Sequence, residues 1–439
     1  METDTPKSRR APSPRPTVEQ LHGPRHGAAG GGPSLSRRNF LLGAAGAGAV
    51  AVAGAAAFAS GAFGGDSGPS IDCLAVPENA MTPLTDLQAL DGYEGSVRLA
   101  NSIDVPFGTL AWSNDDQVCA CLLPTQSGSP LTKAGLLFMG SGTLATALEE
   151  AVGRGEGFEI YDVRATSQGM VWTEADIMQG TWRIYGTPLT DGTLGSPRLL
   201  DEGDATYETP TLGASGPYAL WQKVPLATDD LTNRSQLLCA PFDGEARCLY
   251  ESRRRNATPL WTGSGSAVIT PRLDSPTTYH QLTRIDLASG EVTDTLTLPA
   301  AMKPLEAAYG NTGFMFSFPD IYNYGDGIAN LGTYVPYALP ADGDYSAQRW
   351  FGFNRTPSAP PAWAGNLLIV KSTYSVCGID LDAGTYFAID VENGADKYGE
   401  YLISAGSGPT FATYTNIDHA PVGEEPIHTG RIKVWEPAA

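Results

Sequence analysis

The sequence predicts an all-β chain built as a repeating array of small sheets, and three observations carry that reading. From about residue 95 onward, short apolar-alternating segments bounded by turn residues dominate. Turn glycines then recur at Gly192, Gly244, Gly290, Gly343 and Gly384, at intervals of 52, 46, 53 and 41 residues. Two of these turns sit in near-copies, Ile285-Asp286-Leu287-Ala288-Ser289-Gly290 and Ile379-Asp380-Leu381-Asp382-Ala383-Gly384, which are 94 residues apart. A series of apolar triplets runs in phase with them: Leu110–Trp112, Met170–Trp172, Ala219–Trp221, Ala267–Ile269, Phe314–Phe316, Leu368–Val370 and Phe411–Thr413. Each reads as a buried inner strand.

The units can be placed in order along the chain. Residues 1–35, rich in Pro, Gly, Ser and Arg, hold too little apolar surface to order themselves and form a disordered n-region. Residues 36–63 form a signal and apolar segment, residues 64–94 a linker and N-terminal arm, and residues 95–439 the repeat domain. One helix is expected, over Thr143–Val152, capped near Ser141 and stopped at Gly153. The last repeat is incomplete, because only Arg431–Trp435 follows Phe411–Thr413 as a strand. A strand near Ser96–Leu99 therefore completes it and closes the array into a ring without exposed edges.

Seven triplets, each followed by a hairpin, resemble the blades of a β-propeller of the TolB-like or WD-repeat kind, with six blades as the alternative. The resemblance is architectural, since no Gly-His…Trp-Asp motif accompanies it. A second resemblance concerns Ser36-Arg37-Arg38-Asn39-Phe40-Leu41 and the Gly/Ala-rich run to Phe63, which is similar to a bacterial twin-arginine export signal. It implies recognition of Arg37 and Arg38 by the twin-arginine machinery and export across the cytoplasmic membrane, to a secreted or cell-envelope location. Ala57-Phe58-Ala59 offers a cleavage site; an uncleaved apolar segment would be the chain's membrane contact.

Charge narrows the partners. The whole chain carries 28 basic and 48 acidic residues. Residues 1–59 hold seven and three of these, which leaves 21 and 45, a formal charge of −24. Nucleic acid is not an expected partner, because phosphate-backbone binding needs a basic footprint. The one basic run, Arg253-Arg254-Arg255, reads as a solvated turn.

Catalytic signatures are sparse. His280, His419 and His428 show no metal-ligand spacing, and there is no G-x-S-x-G elbow, glycine-rich phosphate loop or zinc-type cysteine pairing, so no metal and no cofactor is predicted. Glu174 and Asp176, which follow Trp172, are the best candidates for a glycosidase-type carboxylate pair. Trp112, Trp172 and Trp221 recur at the same place in successive units, a pattern that serves inter-sheet packing or, for Trp172, a ligand-facing ring. The longest hairpin insertion, Phe318–Tyr337, gathers Asp320, Tyr322, Tyr324 and Asp326 on a glycine-bearing loop, which suits recognition of a peptide, glycan or protein. The expected function is an exported binding or scaffolding module; a propeller hydrolase or lyase acting on extracellular carbohydrate is the alternative.

Cysteine adds one local expectation. If Asp243 and Gly244 form a two-residue hairpin loop, Cys239 and Cys248 face each other at a non-hydrogen-bonded position suited to a disulfide. The pairing of Cys73, Cys119, Cys121 and Cys377 is left open.

Overall fold

The structure is a computed structural model that describes residues 71–125, 131–226, 232–319, 331–354, 359–420 and 425–438. The export signature at Arg37 and Arg38 and the tyrosine-loop residues Asp320, Tyr322, Tyr324 and Asp326 lie outside the described residues. The described strands fall into seven sheets that follow the chain in order: sheet 1 over 110–148, sheet 2 over 159–203, sheet 3 over 211–252, sheet 4 over 261–297, sheet 5 over 306–353, sheet 6 over 362–388 and sheet 7 over 401–437. One expected triplet lies in each. Within every sheet the chain zigzags through antiparallel neighbours, so short hairpin turns suffice.

Both faces of each sheet are covered, which is why the strands read as continuous apolar runs such as Val118–Leu123. Successive residues point to opposite sides, so Met170 and Trp172 pack toward sheet 1 while Val171 packs toward sheet 3. Buried clusters join sheets 1 and 2, 2 and 3, 3 and 4, then 4, 5 and 6 together, 6 and 7, and finally 7 and 1. That last contact, with Ala412, Tyr414 and Ile432 against Ala111, Cys119 and Cys121, closes the circle. The protein is a β-propeller.

Closure comes from the N-terminal side as expected. Val97–Val105 pairs antiparallel with Ile427–Pro437 as the outermost strand of sheet 7. The chain ahead of it forms a belt along the outer edges: Leu74 N–H bonds Thr297 O of sheet 4, Met81–Pro83 pairs in parallel with sheet 5, and Gln88–Ala89 pairs in parallel with sheet 6. These contacts use edge groups that would otherwise stay open to pairing with another chain.

Three expectations are corrected. Thr143–Leu148 is not helical but the outermost strand of sheet 1, paired with Leu131–Phe138. Gly142, at φ 70°, turns the chain back on itself, and pairing along a sheet edge overrides a local sequence that favours helix. Leu110–Trp112 lies on the first strand of sheet 1, whereas the other six triplets lie on second strands, so Trp112 is not equivalent to Trp172 and Trp221. Finally, Cys239 and Cys248 are not joined. Gly244 N–H bonds Pro241 O at 3.0 Å, which centres the turn on Phe242-Asp243 and pairs Cys239 with Arg247. This one-residue shift sends Cys239 into the core and leaves Cys248 exposed. Among the described residues no cysteine pair forms a disulfide.

Candidate functional site

The first-to-second-strand turns of all sheets converge at one end of the central channel, and they are stitched to one another. Asp115 of sheet 1 accepts from the Ser167 amide of sheet 2 at 2.5 Å, and Thr166 of sheet 2 donates to Gly216 O of sheet 3 at 2.7 Å. The Gly265 amide of sheet 4 donates to Ser215 Oγ of sheet 3, and the Asn311 side chain of sheet 5 donates to Gly365 O of sheet 6.

Sheet 7 departs from this plan. Its first and second strands, Tyr401–Leu402 and Phe411–His419, are joined by a longer segment that crosses the channel. Gly406–Gly408 pairs in parallel with Ala362–Ala364, adding an inner strand to sheet 6. Ser404 bridges to Ser113 of sheet 1, and Ser264 of sheet 4 donates to Ser407 O at 3.4 Å. A Cβ on Gly263 would lie 2.8 Å from the Gly406 Cα, and Gly406 holds φ at 81°. Only glycine allows that approach and that backbone. The segment stoppers the channel at this end and ties sheets 1, 4, 6 and 7 across it.

Over the stopper lies an open depression of about 260 Å³. Ser113, Ser215, Ser264, Ser404 and Ser407 line it together with glycine backbone and Trp363. Asn114 lines it with a buried Oδ1 that has no hydrogen-bond partner. Of its two carboxylates, Asp115 accepts from the Gln117, Val118 and Ser167 amides, while Asp116 is exposed. No histidine or cysteine lies in the wall. The arrangement offers many hydrogen-bonding groups together with two carboxylates.

The residues singled out in the sequence lie elsewhere. Glu174 is fully buried and accepts from the Val152 amide at 2.6 Å, the Gly153 amide at 2.8 Å and Trp172 Nε1 at 3.0 Å. Its carboxylate pins the connection from sheet 1 to sheet 2. Asp176 caps the next turn by accepting from the Met178 and Gln179 amides. Trp172 is buried between sheets 1 and 2, stacked on Tyr185 at 5.5 Å, and Trp221 is buried between sheets 2 and 3. Of the tyrosine-rich hairpin, Tyr334 is buried in the core and Tyr337 packs under the Arg349 guanidinium. Asn114 and the stopper were missed in the sequence; Gly406-Ser407-Gly408 was the available signal.

No family model and no curated protein matches the chain. Solved structures that resemble it include the β-propeller domain of the trilobed protease from Pyrococcus furiosus, at 13% identity and a TM-score of 0.38, covering 62% of this chain and 85% of that one. Puromycin hydrolase resembles it at 14% identity and a TM-score of 0.43, over 72% of this chain and 54% of that one. Oligogalacturonate lyase in complex with manganese does so at 9% identity and a TM-score of 0.38, over 76% and 98%. The propeller assignment rests on the seven sheets and their closure.

Proposed function

We propose that the chain is an exported recognition module that binds a hydroxyl-rich ligand, a glycan, in the depression over the stoppered channel. The carrying observation is Asn114: the residue lines the depression, and its Oδ1 is a buried acceptor without a donor. A buried acceptor of that kind costs free energy until a ligand O–H or N–H meets it. Export follows the twin-arginine route through Arg37 and Arg38, to a secreted or envelope location, and its support is the sequence signature.

A glycan array probed with the purified domain, followed by calorimetry on the bound species, tests the reading. Asn114→Leu is expected to weaken binding by about tenfold, the scale of one lost hydrogen bond to a buried group. Unchanged affinity in that variant, or no glycan bound, would remove the site. For export, Arg37→Lys with Arg38→Lys should leave the protein inside the cell; continued export would refute the route.

A second reading, a hydrolase or lyase acting on extracellular carbohydrate, is favoured by one group. Glu306, at the start of the first strand of sheet 5, has its carboxyl enclosed and raised to about 7 by burial, with Ser317 Oγ donating to it at 3.0 Å. Carboxylate catalysis of this class needs a second acid nearby. Loss of glycan turnover in Glu306→Gln would support it, and unchanged turnover would dismiss it.

A further inference from the structure

The opposite end of sheet 4 carries a cationic cluster in which Arg272 and Lys303 have no carboxylate partner among the described residues. The turn between the second and third strands there forms a short ribbon in which Arg272 pairs with His280 as cross-strand neighbours. Such neighbours have Cβ atoms about 5 Å apart on one face. Arg272 Nε is buried and has no hydrogen-bond partner, and among the described residues no carboxylate pairs with its guanidinium. His280 is buried, and its Nδ1 lies 2.9 Å from Met302 O, which places the proton on Nδ1 and leaves Nε2 free of that contact. The next residue, Lys303, is exposed and unpaired among the described residues. It follows a turn strained at Ala301, φ 64°, whose amide is tied to Thr278 O at 2.7 Å.

Burial, and after it the nearby Lys303 and Arg272 charges, hold the His280 imidazole below its ordinary range, against the raising effect of its bond to Met302 O. Beside the ribbon, Arg253 and Arg254 share the single carboxylate of Asp274, and Arg254 Nε is a second buried donor with no acceptor. Opposed Cα positions fix this neighbourhood, since Asn256 bridges to Pro271. In a chain with a formal charge of −20, the unpaired Arg272 guanidinium donor and the unpaired Lys303, both close enough to act on His280, are an exception that chemistry must account for.

We infer that Arg272, His280 and Lys303 form a binding site for an oxyanion, a phosphate or sulfate group, that supplies the missing acceptor to Arg272 Nε. The guanidinium fork matches the oxygens of such a group, and charge-assisted bonds of this type are about twice as strong as neutral ones. The site lies at the end of the propeller away from the depression and stands independently of the glycan reading.

The test is calorimetric titration of the purified protein with inorganic phosphate, sulfate and glucose 6-phosphate at constant ionic strength. Saturable binding is expected, weakened about tenfold or more in Arg272→Gln. Lys303→Glu, on the surface and without risk to folding, is expected to weaken it as well. Tighter binding of glucose 6-phosphate than of phosphate would place the oxyanion on a larger molecule; equal binding would make the free ion the ligand. A second readout is the His280 proton resonance, whose titration midpoint moves upward when phosphate is present, because the bound anion favours the protonated ring. Equal affinity in wild type, Arg272→Gln and Lys303→Glu, or no saturable binding, would overturn the inference.

Discussion

Glu174 is a buried carboxylate that acts as a fastener. Its two oxygens take three N–H donors, so Glu174→Ala strands those donors in a dry interior. The expected cost is about 3 kcal/mol or more, read as a fall in the chemical-denaturation midpoint. Glycan binding should survive in the folded fraction. Glu306 supplies a pH signature of the opposite sense to the usual carboxylate. Its folded-state value of about 7 lies above the unfolded one, so the native state holds the extra proton between them. Stability from this group is therefore fully present below about pH 4.3 and declines as pH rises toward 7. Glu306→Gln should flatten that slope and raise stability at pH 7 relative to pH 5, by roughly 2–3 kcal/mol. An unchanged pH profile in the variant would contradict the assignment. Cysteine reactivity is a third residue-scale check: exposed Cys248 should alkylate in the native protein, while buried Cys239, raised to about 11 by desolvation, should react only on unfolding. Equal protection of both thiols would revive the disulfide.

Elements explain what the sequence could and could not convey. Second strands such as Gly313–Phe318 are buried on both sides and announce themselves as apolar runs, and the five recurring glycines all fall between third and fourth strands. Those signals are local and periodic, so the repeat was legible. The register at Cys239 was not, because one residue of turn geometry decides which side a chain faces. The Thr143–Leu148 strand was misread for a related reason: an edge strand with exposed positions has no apolar alternation to contradict its helical composition. The stopper was invisible for another reason, since its meaning lies in Gly263 meeting Gly406, 143 positions apart in the sequence. Gly263→Val should drive that segment from the channel, at a cost of about 1–3 kcal/mol for overpacking. Hydrogen exchange would report it as faster exchange of the Ala405 amide, which bonds Ser113 O in the native form. Unaltered exchange there would show that the segment does not depend on the glycine contact.

At the scale of the whole molecule, the ring is a chain of inter-sheet cores joined end to start. The seventh sheet pairs the two ends of the domain directly, through Val97–Val105 against Ile427–Pro437. An ion-pair series runs over this seam from Asp104 through Arg431, Glu392 and Lys433 to Glu400. Deleting the described chain through Val105 would strip the belt and expose the Ile427–Pro437 edge, so that variant should self-associate. The seam is also where the account can be tested most directly. Arg98 and Glu436 are paired residues on the two strands with partly exposed side chains. In the Arg98→Cys, Glu436→Cys double variant, peptide mapping after mild oxidation should find the two new thiols joined within one chain. A ring closed by its own N-terminal strand predicts that intramolecular link; thiols that stay separate, or that join only between chains, would contradict it.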